Sequence, residues 1–377
     1  MNFALTDEQL FLREAARGAL GRFKSVQAAR ELLEGGEAPD LWPTACEAGW
    51  PGLLVADEHG GAGLGALEAM LVFSELGRVL AAVPLLGHVA ATSLLTGASA
   101  DELGALASGL KRAALVGARP PSDVEPDWTV DPAKGMRRDP APRLEGDRVT
   151  GAVHWVPDAP GADVLAVVAI QDDGSARAVL VDAGADGVRV EALWRYDATR
   201  SLGHVTLDGA RGVVLDAPRE VVAQAWYLAQ ALLAAESIGA VEVALETSLA
   251  YAKERFTFGR AIGSYQSVKH ELVEILRRLE NARSLMYYAG WAYDDQPTEF
   301  PLAASALRVG GSKALEHASR AMISIHGGIG ATWEHDAPLF FRRAQLSRRL
   351  MGGAADAAER VAAELLAQAR TSAADAA

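Results

Sequence analysis

Apolar and polar residues repeat with two different periods along this 377-residue chain, and the change of period divides it into three zones. The first, residues 1–112, has the three-to-four-residue spacing of helices. Thr6 with Gln9 makes a capping box, and Leu10, Arg13, Ala16 and Leu20 continue the helix it opens. "LEAMLVFSELGRVLAA" has the same spacing with no breaker before Gly77, and "GWPGLLVADEHGGAGLG" ahead of it is a glycine-rich turn region. In the second zone, 113–216, prolines cluster between 120 and 142, and short β-type runs follow: "DRVTGAVHWV", "ADVLAVVAI", "ARAVLVDA", "DGVRVEALW" and "GHVTLDG". The third zone, 217–377, is helical again. Val268, Leu272, Ile275, Leu279, Ala282 and Met286 form one stripe. "REVVAQAWYLAQALLAAESIGAVEVALETSLAYAKER" is apolar nearly all round, so it reads as the buried helix of a bundle. The expected fold class is α+β, mainly α: an N-terminal helical domain, a small antiparallel β domain and a C-terminal helical bundle.

Charge narrows the partners. The formal net charge is −13, which argues against nucleic acid or an anionic membrane as the main partner. It leaves room for one anionic ligand in a local basic pocket. Cys46 is the single cysteine, so a disulfide framework is excluded and a reducing cytoplasm fits. The first twenty residues mix acidic, basic and apolar types, unlike a signal peptide. No run of about 18 uncharged apolar residues occurs, so no membrane span is expected.

Candidate chemistry concentrates in "YAKERFTFGRAIGSYQSVKH", residues 251–270, an elbow between two helical segments. Arg255 offers a planar donor fork suited to a diphosphate, and Phe258 a flat apolar surface beside it. Gly259 allows close backbone approach, and Gln266 can pair with a polar ring edge. The plainer reading is a helix–turn–helix corner, with Arg255 capping a helix end and Phe256 and Phe258 in the core. The eight histidines show no metal-ligand spacing. The arginine runs "RRL", "FRRAQ" and "SRRLM" read as solvated or ion-paired faces. Trp194, Trp226, Trp291 and Trp333 read first as core, second as the lining of a wide pocket.

Three motifs in order give these residues a family. "LWPTACEAGWPGLLVADEHGGAGLGALEAMLVFSELGR", "YAKERFTFGRAIGSYQ" and "IHGGIGATWEHDAPLFFRRAQ" together resemble the acyl-CoA dehydrogenase family, over essentially the whole chain. The resemblance implies FAD as cofactor and an acyl-CoA or carrier-bound acyl thioester as substrate. It implies that the elbow, through Arg255, Thr257, Phe258 and Gln266, reaches across a subunit interface to the ADP part of a neighbour's FAD. Gly327, Gly328 and Gly330 would give the same ligand close backbone approach, and Ser122 would contact substrate.

The chain also departs from the family. A carboxylate must take the proton α to the thioester carbonyl. The family's usual slot for that glutamate falls on Met351, and the minority slot on Ala229, followed by Gln230. Glu236 lies two helical turns beyond Ala229, about 10 Å along a helix, and is not an obvious substitute. In the β zone Ser122 and Asp123 match the family frame, but Val116 and Gly117 replace its threonine and glutamate. Trp155-Val156-Pro157 ends in a residue with neither hydroxyl nor N–H, and Ser324 stands where a glutamine is expected. This pattern, with "YDATRSLGHVTLDG", resembles heteromeric actinobacterial acyl-CoA dehydrogenases of lipid or steroid side-chain metabolism. No catalytic residue is therefore assigned. The chain is expected to be a subunit that completes a homologous partner's FAD site. The alternatives are a self-sufficient homo-oligomer with an unusual base, a flavin monooxygenase or biosynthetic desaturase on the same fold, and a scaffold without ligand.

Overall fold

The computed structural model describes residues 4–117, 141–217 and 219–375. Six helices come first: α1 (Asp7–Leu20), α2 (Ser25–Leu33), α3 (Trp42–Glu47), α4 (Ala66–Arg78), α5 (Leu85–Leu94) and α6 (Ala100–Ala107). The capping box is formed: the Thr6 side chain accepts from Gln9 N–H while the Gln9 side chain accepts from Thr6 N–H. Gly77 does not break α4. It lies inside the helix, where α4 crosses α7 (Arg219–Glu254). A Cβ on Gly77 would stand 1.9 Å from the Glu236 carbonyl oxygen, and one on Gly239 would stand 1.8 Å from that of Ser74. The two glycines let the helix backbones touch, which no side chain permits.

The middle of the chain forms one sheet from β1 (Ala113–Val116), β2 (Arg143–Glu145), β3 (Arg148–Pro157), β4 (Val164–Ile170), β5 (Ala176–Asp182), β6 (Val188–Ala192), β7 (Leu202–Arg211) and β8 (Val213–Val214). The strand order is β6-β7-β3-β2-β4-β5-β8, with β1 beside β4. The sheet is mainly antiparallel, as expected, but β1 and β2 both run parallel to β4. Strand alternation divides its contacts. Val164, Ala166 and Val168 face a cluster with α5 and the start of α7, while Leu165, Val167 and Ala169 face the opposite layer with Val153, Val179 and Val205. The sheet is thus pinned to the helices through one face of β4.

The rest is helical: α7, then α8 (Gln266–Asp295), α9 (Phe300–His326), α10 (Ala337–Ser347) and α11 (Gly353–Asp375), with the short ribbon β9 (Phe256–Thr257) and β10 (Arg260–Ala261) between α7 and α8. The α8 stripe faces inward at Leu272, Ile275, Leu279, Ala282 and Met286. By length and composition α7 could cross a membrane, but 83% of its apolar window is buried inside the fold. It is the core helix of the bundle, packed on α4, α8 and α9.

Candidate functional site

Two concave regions hold the residues of interest. The larger is a cavity of about 910 Å³ between the sheet and the helical layers. β3 supplies Val153 to Pro157, α7 supplies Trp226, and α10 with the turn after it supplies Arg342, Leu346 and Arg349 to Gly352. Trp194, Arg195 and Tyr196 come from the loop before β7, and Trp333 from the loop before α10. Trp194 and Trp333 therefore line this space rather than fill core, while Trp226 does both, buried in the main core cluster with one face on the cavity. Trp291 does not; it stacks on Tyr288. A register shift in β3 between Val153 and Val156 places Trp155 at φ +66°, so a bulge re-aims its indole. The Arg195 guanidinium lies over that indole, 3.4 Å from the ring centroid. His154, on the same wall, has its Nδ1 2.6 Å from Nδ1 of His204, within hydrogen-bond distance.

Of the two slots expected for a catalytic glutamate, Met351 lines the cavity and Ala229 does not, and neither is an acid. Met351 is on the cavity wall at φ 51°, ψ 51°, in a turn closed by Gly352 at φ +86° and Gly353 at φ +77°. Two buried side chains hold this turn. Arg308 donates to the Ser347 carbonyl, to the Leu350 carbonyl at 3.1 Å and to the Ser312 hydroxyl at 2.6 Å. Gln230 donates to the Met351 carbonyl at 3.3 Å. Arg308 is fully buried and forms no ion pair among the described residues, and burial, only partly offset by the charge of Glu236, pulls its pKa down to about 10. Ala229 is buried in the cluster between sheet and helices. Among the described residues lining the cavity there is no Asp or Glu. Pro157, at the end of β3, also lines it and brings no donor.

Behind the cavity lies a buried ionic cluster that the sequence suggested only through "YDATR". Arg343 Nε donates to Asp197 Oδ2 at 2.7 Å, and Arg343 also reaches the Thr199 hydroxyl and, at 3.5 Å, Glu236. Arg200 pairs with Glu236 through both oxygens. Glu236 is thus engaged twice and offers no free base. Burial raises the Asp197 carboxyl, but Arg343 and Thr199 outweigh it and hold the pKa below its usual value. Asp158, at the end of β3, accepts from Gly87 N–H at 2.7 Å, and burial pushes it up to about 6. The arginine runs are therefore only partly surface faces. Arg342 faces the cavity, Arg343 is buried in the cluster, and Arg348 pairs with Glu316 at 2.9 Å.

The second region is a groove of about 680 Å³ beside the elbow. Thr257 and Phe258 line it with Tyr265, His317, Ser324 and Ile325. β9 pairs with β10 around Phe258 and Gly259, at φ +50° and +79°, a tight two-residue turn. Arg260 stacks on the Tyr265 ring at 3.9 Å and so braces the ribbon. Phe256 and Phe258 are 63% and 93% exposed, which rules out the corner reading with both in the core. Arg255 and Gln266 are exposed as well, at the end of α7 and the start of α8. Gly327 and Gly328 present bare backbone at the end of α9, and a Cβ on either meets no atom within 4 Å. Gly330 differs: it is buried, and a Cβ there would stand 2.6 Å from the Ile323 carbonyl oxygen, so its own chain requires it. The groups present suit a nucleotide diphosphate: an open guanidinium, an open amide, an aromatic face and uncovered backbone. Ser122 lies outside the described residues.

Family models and known proteins match this chain along most of its length. Residues 6–104 match the model described as acyl-CoA dehydrogenase, N-terminal domain, and 220–367 match that of the C-terminal domain. The chain is 31% identical over 365 residues to acyl-CoA dehydrogenase IpdE2 of Mycobacterium tuberculosis, covering 95% of this chain and 98% of that one. Among solved structures it resembles the ChsE4-ChsE5 complex from M. tuberculosis, with a TM-score of 0.82 and 26% identity, covering 97% and 99% of the two chains. It resembles the Tcur3481-Tcur3483 steroid ACAD with a TM-score of 0.83, 26% identity and the same coverage.

Proposed function

The chain belongs to the acyl-CoA dehydrogenase family, and on that premise we propose that it is one subunit of an FAD-dependent enzyme that introduces an α,β double bond into an acyl-CoA thioester. A homologous partner supplies the catalytic base, and this chain completes the partner's FAD site. The observation that carries the reading is a split within one chain. Arg255, Gln266, Phe258 and the backbone at Gly327 and Gly328 stand open at the surface. The same chain's cavity has no described carboxylate on its wall.

The residues fit the proposed cofactor at the elbow. Arg255 would hold the diphosphate, Thr257 and Phe258 would flank it, and Gln266 would pair with the adenosine edge. When bound, FAD supplies the acceptor for the β-hydride. The carboxylate for this chain's own substrate is not found on the described cavity wall. Two solved neighbours are named as two-component assemblies, and one of them as a steroid ACAD, which supports a heteromer and a bulky ring-bearing acyl group. The acidic balance and single cysteine support a cytoplasmic setting.

The test is the visible absorption spectrum of the purified chain, alone and co-expressed with its homologous partner. The expected result is a colourless chain alone and a yellow complex with fewer than one flavin per subunit. A flavin spectrum from the chain alone would overturn the reading in favour of a self-sufficient homo-oligomer.

A further inference from the structure

Three aromatic rings meet where the elbow, the glycine turn and the start of α10 come together, and the reading of the elbow as a cofactor site gives them no task. His326, the last residue of α9, is 4% exposed. Its ring stacks on Tyr251 of α7, with centroids 4.4 Å apart and planes at 30°. It also meets the ring of His335, from the loop before α10, at 4.2 Å and 50°.

Each ring is tied to backbone as well. His326 Nδ1 lies 2.7 Å from the Met322 carbonyl, so that nitrogen carries a proton and donates it. His335 Nδ1 accepts from Ala337 N–H at 3.0 Å, in the first turn of α10. The Tyr251 carbonyl accepts from Arg255 N–H at 2.8 Å, and the Tyr251 hydroxyl donates to the His326 carbonyl at 3.5 Å. Short contacts thus run from the backbone of Arg255, through the rings, to the first turn of α10. A packing role alone is met by apolar rings, which carry no polar nitrogens to desolvate.

His326 also governs the turn that follows it. Gly327 N–H donates back to the Ile323 and Ser324 carbonyls, and a Cβ on Gly330 would stand 2.8 Å from Cβ of His326. Both ends of the turn are therefore referred to this one residue, while Gly327 and Gly328 between them face open space.

We propose that His326 is a positioning residue for the cofactor: held by Met322, Tyr251 and His335, it sets the Gly327–Gly328 backbone relative to Arg255, so that turn and guanidinium meet one diphosphate together. The inference rests on the reading of the elbow as an FAD site, and His326 acts there only through the turn. A turn fixed before binding loses less freedom when the ligand arrives, which strengthens retention without a new contact.

The experiment compares His326→Ala, which removes ring and donor, with His326→Asn, which keeps a donor near the Nδ1 position. Amide hydrogen exchange of residues 324–332 is followed in the flavin-free chain, and flavin retention on dilution in the co-expressed complex, both well below the melting temperature. His326→Ala should speed exchange of that segment and weaken retention about tenfold, and His326→Asn should recover part of both. A pH profile gives a reading that packing alone would not move. Around His335 stand His326 of α9, with Tyr251 behind it, Arg30 of α2, and Asp336 of its own loop. Burial, then His326, hold the His335 pKa below the ordinary histidine value, against the pull of Asp336. As pH falls through that lowered value, a proton on Nδ1 takes the acceptor from Ala337 and sets a cation against His326. Retention should therefore fall on acidification, and His335→Asn, whose side-chain oxygen accepts the same N–H without titrating, should flatten that fall. Parental exchange and retention in His326→Ala, a lowered Tm with unchanged retention, or a pH profile that His335→Asn leaves intact would overturn the proposal. Arg255→Ala in the same complex separates the two readings. If it weakens retention and His326→Ala does not, this inference alone falls; if neither does, the elbow reading falls and takes this one with it.

Discussion

Replacing Arg343 by methionine isolates the buried ionic cluster behind the cavity. Arg343 is 2% exposed, and Asp197, whose Oδ2 accepts from it at 2.7 Å, is 4% exposed. Without the guanidinium Asp197 keeps the hydrogen bonds of Thr199, whose N–H stands 3.1 Å from Oδ1 and whose hydroxyl also donates there, and the more distant charge of Arg200. Glu236 keeps Arg200. The variant thus leaves one buried carboxylate without its countercharge, which costs about 3–5 kcal/mol. At about 2 °C per kcal/mol for a chain of this size, the Tm at pH 8 should fall by about 5–10 °C. The pH dependence has a definite sign. In the parent Asp197 is held below its unfolded value, so its contribution is present above the unfolded carboxylate range and is lost as pH falls through the folded pKa. In the variant burial acts unopposed by Arg343 and raises that pKa, so protonation on acidification relieves the penalty. The Tm gap between parent and variant should therefore narrow between pH 8 and pH 5 by circular dichroism melting. Asp197→Asn in the same background should recover most of the loss at pH 8. A deficit below about 1 kcal/mol, or one that stays constant with pH, would refute the account.

Three further outcomes follow from the same geometry. Arg255→Ala should weaken FAD retention in the co-expressed complex about 10- to 100-fold, as a diphosphate loses a charged bidentate partner; unchanged occupancy on dilution would remove the elbow from the site. Gly328→Ala should leave thermal stability within about 0.5 kcal/mol, since its Cβ meets nothing, yet lower flavin retention; Gly239→Ala should cost at least about 3 kcal/mol, as its Cβ would stand 1.8 Å from the Ser74 carbonyl oxygen, and a stable Gly239→Ala chain in melting experiments would contradict the helix crossing. Asp158 is raised to about 6 from an unfolded value near 3.8, so folding binds its proton between those values and stability falls as pH rises through them; Asp158→Asn should abolish that slope and stabilise the chain at pH 8 by up to about 3 kcal/mol, measured by urea denaturation across pH 4–8.

The parts of the fold governed by local rules were readable from the sequence. The Thr6–Gln9 cap, the α8 stripe, the all-round apolar α7 and the five β runs depend on neighbours within a few residues. What escaped depends on contacts distant in sequence. Gly77 reads as a breaker, and only the arrival of Glu236 from α7 makes it a helix-crossing glycine. Arg342 and Arg343 are adjacent and alike in sequence, yet the helix turns one to the cavity and the other to Asp197. Trp155 gains its place from a bulge against β7, and Trp194 and Trp333 are large apolar residues whose chemistry alone suggests core. At the site Met351 stands on the cavity wall, because its position follows from turn register, while Ala229 is buried in the cluster between sheet and helices. The arginine-lined wall was hidden, since it gathers residues from three separate segments.

The two concave regions constrain the chain in opposite ways. At the elbow, the chain carries what its own stability does not need. Phe258 sits at φ +50°, a conformation that disfavours a bulky residue, and is 93% exposed, so it is both strained and solvated. An open Arg255, an open Gln266 and bare glycine backbone at Gly327 and Gly328 add nothing to the isolated fold. Such features are explained by something that docks there. At the cavity, the chain maintains a costly wall that holds no acid among the described residues. Arg308 is fully buried without an ion pair among the described residues, Gln230 is buried with its Oε1 unpaired, and Met351 adopts left-handed geometry, all to fix one turn. A chain that had merely lost a catalytic site gains nothing from that turn. Its retention is accounted for if the shape of the wall, rather than proton transfer, is what the cavity contributes.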